Sequence, residues 1–183
     1  DESSLNQLTK STKVVCTTVG PYAKHGSLLV QQCVKNNTHY CDLAGEVQWM
    51  RKMIDLHHSD AKINNTKIVH TCGFDSIPSD MGVYFMQEYA KDTYGQYFDE
   101  IQMLVKAAKG GFSGGTFASL QNVMEEAQED PSLYKILGDP YGLNPKGTRE
   151  GPDKRDLDHV EYDSVMEGWK AQFVMASINT KVV

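Results

Sequence analysis

Three short segments hold the residues best suited to chemistry: Val19-Gly20-Pro21-Tyr22, Asp42-Leu43-Ala44-Gly45-Glu46 and Cys72-Gly73-Phe74-Asp75-Ser76-Ile77-Pro78. Each joins a glycine, which lets backbone pass close to a ligand, to polar side chains. Tyr22, His25, Asp75 and Ser76 could deliver a proton to an atom on which charge builds during a reduction. Taken singly, each segment also has a plain structural reading. Gly20-Pro21 reads as a turn, Asp42 and Glu46 as caps on a following helix, and Asp75 as an N-cap. Joint placement on one sheet edge is what favours chemistry, and that depends on the elements around them.

Those elements alternate. Lys13 to Val19 is a β-branched run ended by Gly20-Pro21, and 26–36 follows with Leu29, Val30, Cys33 and Val34 on one helical face. His39 to Leu43 predicts a second strand, 47–62 a second helix, and Thr66 to Thr71 a third strand. Strand, helix, strand, helix, strand at these lengths implies βαβ units and a parallel sheet. Ligands of such sheets gather outside the carboxyl ends of the strands, where all three segments begin. Asp75, Ser76 and Pro78 then open a helix running to about Ala90.

Beyond Lys91 the pattern changes. Glu100 to Lys106 predicts a strand, 109–116 a glycine-rich turn, 116–129 a helix and 132–137 a short one. Residues 139–168 hold Pro140, Pro145 and Pro152 without periodicity and read as one long irregular loop. Trp169 to Ile178 predicts a strand, and Lys181-Val182-Val183 a strand cut short. The chain, which opens on Asp1, is therefore expected to be an internal piece of a longer protein.

Composition narrows the classes. Of 183 residues, 40% are hydrophobic and 23% charged, enough apolar material for a core. A net charge of −6 without a dense Lys/Arg cluster argues against nucleic-acid binding. The four cysteines lack CxxC or zinc spacing. Cys16, Cys41 and Cys72, in strand-like runs, are expected to be reduced, buried hydrophobes in a cytoplasmic protein. No run approaches the roughly 18 apolar residues of a membrane helix. No metal ligand set is expected, and His57-His58, near a helix C-terminus, are given no chemistry.

Several motifs together resemble one family. These are Thr18-Val19-Gly20-Pro21-Tyr22, 38–46 (Thr38 to Glu46), 70–80 (His70 to Asp80), 109–116, 139–145 and 173–180, spread in order along the chain. They resemble the saccharopine dehydrogenase-like oxidoreductases, and within them the trans-acting enoyl reductase branch of bacterial lipid biosynthesis. The resemblance implies an α/β fold: the C-terminal half of a Rossmann-type parallel sheet in 1–90, then part of an α+β substrate and dimerisation domain in 91–183. It implies NADP or NAD as cofactor of the full-length protein, and hydride transfer to or from a carbonyl, imine or enoyl group of a small or lipid-linked substrate. Peripheral membrane association and a homodimer are further partner expectations.

Carried residue by residue, the resemblance puts Val19, Gly20, Pro21, Tyr22, Gly45, Gly73, Phe74 and Asp75 on the cofactor side. The Gly20-Pro21-Tyr22 loop falls beside ribose and pyrophosphate. Tyr22, Asp75 and Ser76 are the catalytic candidates. The family's GxGxxG turn does not occur in these residues, so this piece alone is expected to be inactive. The amides of 114–117 could instead hold an anion, although a tight turn is the simpler reading of 110–115. Two alternatives stand beside the enzyme. One is a non-catalytic scaffold using 139–168. The other is a saccharopine-type dehydrogenase clamping carboxylates with Lys24, Lys109 or Arg149.

Overall fold

The computed structural model describes residues 1–111, 113–145, 147–148 and 157–183. In chain order the elements are α1 (Glu2–Lys10), β1 (Val14–Thr17), α2 (Tyr22–His25), α3 (Ser27–Lys35), β2 (His39–Asp42), α4 (Val47–Ile63) and β3 (Ile68–Val69). There follow α5 (Ile77–Tyr94), α6 (Gly114–Glu129), α7 (Leu133–Leu137), β4 (Glu161–Asp163), β5 (Gly168–Lys170) and α8 (Ala176–Val182). They form two compact units, Asp1–Gly73 with Gly110–Leu143, and Phe74–Lys109 with Asn144–Val183.

The first unit is built on a three-stranded parallel sheet in the order β1-β2-β3. The mixed α/β character and the parallel βαβ succession follow the sequence pattern. Period-2 burial sets the two faces: Tyr40 and Asp42 of β2 are buried, while His39 and Cys41 are only partly so. Val30, Cys33 and Val34 of α3, with Val47, Trp49, Met50 and Met53 of α4, supply the core on the buried side. The other face is open, with Val14 and Val69 each half exposed and Leu43 47% exposed. The buried-thiol expectation therefore fails for the strands. Cys16 is exposed and Cys41 intermediate, because period-2 geometry turns them to the open face; Cys72, also intermediate, lies past the end of β3, and only Cys33, on α3, is buried.

The second unit joins α5, α8 and a β4–β5 hairpin. Four expectations are corrected here. Glu100–Lys106 forms no strand, since no neighbouring segment among the described residues offers it a ladder. The 139–168 stretch is not wholly irregular: β4 and β5 pair antiparallel, Tyr162 opposite Trp169, with their rings edge to face at 5.5 Å. The turn is tied by Asp163, whose carboxylate accepts the amides of Val165 and Met166 and the Lys170 ammonium. The strand expected over Trp169–Ile178 stops at Lys170. The chain then enters α8, so Lys181 and Val182 are helical rather than the start of a strand. A buried asparagine, Asn179, explains the change, because a helix turns its amide toward three groups at the start of α5.

Candidate active-site edge

β1 and β2 end side by side, with Thr17 in register with Asp42. The segments that follow them meet through one carboxylate. Glu46 is 1% exposed and stands immediately before α4, yet it makes no capping bond to that helix. It reaches back 24 residues to α2, where Oε1 accepts the Tyr22 amide at 2.7 Å and Oε2 accepts the Ala23 amide at 2.9 Å. Ser119 of α6 donates its hydroxyl to Oε1 at 2.9 Å. The reading of Glu46 as a cap on α4 is thus corrected: it satisfies the otherwise unpaired first amides of α2.

Tyr22 is locked at both ends. Its hydroxyl donates to the Thr17 carbonyl and accepts from the Leu43 amide, each at 3.2 Å. Burial, together with the nearby Asp42 and Glu46 carboxylates, raises its pKa above the ordinary phenol value. Its ring stacks on Trp49, centroids 5.5 Å apart, and Trp49 donates its indole N–H to Ser27. Gly26 makes room for that indole: a Cβ there would lie 2.7 Å from Trp49 Cζ2. At Gly20 a Cβ would come within 3.2 Å of Ser119 Oγ.

Asp42, fully buried, is a hub rather than a helix cap. It accepts from the Tyr40 hydroxyl, the Ala44 amide and the Thr71 amide, and His70 Nδ1 lies 2.7 Å from its Oδ2. With the carboxylate as acceptor, the His70 ring proton belongs on Nδ1. Thr71 holds φ at 57°, a strained value for a β-branched residue, and its amide bond to Asp42 helps fix it there. His70 also borders a cavity of about 180 Å³ along α4, where burial lowers the His57 pKa.

The predicted site residues divide between the two units. Val19 is exposed, Gly20 and Pro21 are half-buried, Tyr22 is buried and Gly45 exposed, all on the β1–β2 edge; Gly73 closes the same unit, against Leu43. Phe74, Asp75 and Ser76 open the second unit, with Phe74 and Asp75 exposed. Ser76 is buried and donates its hydroxyl to Asn179 Oδ1 at 2.9 Å, while Asn179 Nδ2 donates to the Asp75 carbonyl and Ser79 Oγ. Ser76, not Asp75, takes the N-cap position of α5, with no side-chain capping bond. His25 lies exposed at the end of α2.

Of the amides in 114–117, Thr116 bonds Ser113 Oγ and Phe117 bonds the Ser113 carbonyl, so two are already engaged. Lys24 faces Glu125 at 3.8 Å, and Arg149 lies outside the described residues. Sequence reasoning did not single out Ser119, Asn179 or His70. The first two act across 73 and 103 residues, beyond any local pattern, whereas His70 beside a strand end was a readable signal. Among the described residues no group of three or more His, Cys, Asp or Glu could hold a metal ion, and no helix is long and apolar enough to cross a membrane.

No family model and no solved structure matches the chain. Curated relatives do. A protein of Mycobacterium tuberculosis, provisionally named as a trans-acting enoyl reductase, is 40% identical over 187 residues, 99% of this chain and 45% of that protein. Trans-acting enoyl reductases of Mycobacterium leprae and Mycobacterium ulcerans are 35% and 34% identical, again over 99% of this chain and 45% of theirs. The chain thus spans a little under half the length of these relatives. Along almost all of its own length, it is a homologue of the mycobacterial trans-acting enoyl reductases.

Proposed function

We propose that this chain is part of an NAD(P)-dependent oxidoreductase, and that its β1–β2 edge forms one wall of the nicotinamide site. The observation that carries the reading is the fastening of the two strand-end segments by Glu46, at the carboxyl edge of a parallel sheet where dinucleotides bind. On this reading the sheet is the C-terminal half of a Rossmann-type sheet, and the enoyl group is the favoured acceptor because the relatives are named as enoyl reductases. A lipid-linked substrate is part of the same proposal.

The residues fit one part of a dinucleotide better than another. A pyrophosphate needs unoccupied amides at a helix start. The Tyr22 and Ala23 amides already hold a carboxylate, which also repels a second anion. Exposed Val19 and Gly45, beside half-buried Gly20 and Pro21, suit an uncharged ring and ribose. The proposed contact is therefore with the nicotinamide half, not with the phosphates. A bound nicotinamide supplies the hydride. The chain's own groups orient it and exclude water, Tyr22 by bracing the loop from beneath. Asp75, Tyr22 and Ser76 are the proposed proton donors. Asp75 is exposed, whereas the hydroxyls of Tyr22 and Ser76 would first leave Thr17 and Asn179.

The test is thermal unfolding of the full-length protein with NADPH and with NADH. The reading requires a concentration-dependent rise in Tm with at least one of them. Unchanged melting with both would overturn it.

A further inference from the structure

Cys16 and Cys41 are direct partners in the β1–β2 ladder and lie on the open face of the sheet. Cys16 is exposed and Cys41 half-buried, so solvent reaches this pair from the open side. All four cysteines of the chain are free of disulfides in this structure. Neighbouring strands run about 4.8 Å apart, within the roughly 4.4–6.8 Å that Cα atoms of disulfides span. We propose that Cys16 and Cys41 are an oxidation site, a dithiol that hydroperoxides convert to a reversible disulfide. The proposal is independent of dinucleotide binding.

The order of events follows from access. Cys16 is exposed, whereas burial pushes the Cys41 thiol up to about 11. Cys16 thiolate therefore attacks the peroxide first. Its sulfur takes the terminal oxygen, the O–O bond breaks, and an alcohol (or water, from hydrogen peroxide) leaves, giving a sulfenic acid. Cys41 sulfur then attacks Cys16 sulfur, the S–S bond forms, and water departs. Two thiols lose two electrons in all, and one peroxide gains them. Because Cys41 is mostly protonated at neutral pH, this second step quickens as pH rises toward 11. The bond would tie β1 to β2 one residue before Thr17 and Asp42, where the candidate edge begins.

Peptide mapping tests this on the chain itself. The protein is treated with hydrogen peroxide, alkylated, and cleaved with trypsin, which separates Cys16 from Cys41 at Lys24 and Lys35. The expected result is loss of two of the four alkylatable thiols and a linked Cys16–Cys41 peptide pair that dithiothreitol separates. Cys33→Ser and Cys72→Ser proteins should still form it, and Cys16→Ser should not. Unlinked, alkylatable Cys16 and Cys41 after treatment would overturn the proposal. So would a dominant link through Cys72, or Cys16 accumulating as sulfonic acid.

Discussion

Glu46 Oε1 lies 2.7 Å from the backbone nitrogen of Tyr22, so a carboxylate that leaves β2 closes the helical turn that follows β1. This one side chain sets the relative positions of the two strand-end segments. It also turns the local electrostatics away from phosphate. With Ser119 added from α6, two other parts of the first unit, α2 and α6, converge on it.

Removing that carboxylate should loosen the edge. Glu46→Ala leaves one buried amide, a part-buried amide and a part-buried hydroxyl without an acceptor and should cost about 3 kcal/mol. Ser119→Ala removes one neutral donor and should cost about 1 kcal/mol. Urea unfolding of both, and of the double variant, measures this; the pair should be non-additive, since they share an atom.

Gly26→Ala places a methyl 2.7 Å from the Trp49 ring. The indole must move off Tyr22, at a cost of about 1–3 kcal/mol. Trp169 is 74% exposed, so a red shift of the buried tryptophan component reports on Trp49 alone.

Asp42→Asn weakens a hub that serves Tyr40, Ala44, His70 and Thr71. A loss of about 2–4 kcal/mol is expected. A double-mutant cycle with His70→Ala should show coupling of about 1 kcal/mol or more, and additive losses would show that the two do not act as a pair.

Alkali should destabilise the first unit. Burial pushes the Cys33 thiol from 9.0 up to about 12, and burial likewise raises Tyr40. A raised folded pKa means that the unfolded chain ionises first. The Cys33 contribution is therefore whole below pH 9 and is lost as pH rises toward 12, at up to about 1.4 kcal/mol per pH unit. Chemical denaturation across this range measures the slope, and Cys33→Ala should make it shallower.

Much of the first unit was legible in sequence because burial there follows local periods. Leu29, Val30, Cys33 and Val34 repeat at helical spacing, and β2 alternates as His39, Tyr40, Cys41, Asp42. The return of α6 to this unit was not legible, since Ser119 meets Glu46 across 73 residues. In the second unit, period misled where tertiary contact decided. The apolar run through Phe173 to Ile178 is strand-like, yet Asn179 draws it into a helix against α5. Asp163-Ser164 and Glu167-Gly168 were turn residues flanked by aromatics, a hairpin signal hidden within a proline-rich stretch.

The contact proposed above is between the β1–β2 edge and the nicotinamide half of a dinucleotide. It is tested most directly by titrating NADPH into full-length protein carrying Val19→Glu. Val19 is 62% exposed, so the fold should tolerate the change and Tm should stay the same. Binding at least about tenfold weaker than wild type is expected, about 1.4 kcal/mol. A variant that binds NADPH as tightly as wild type would contradict it.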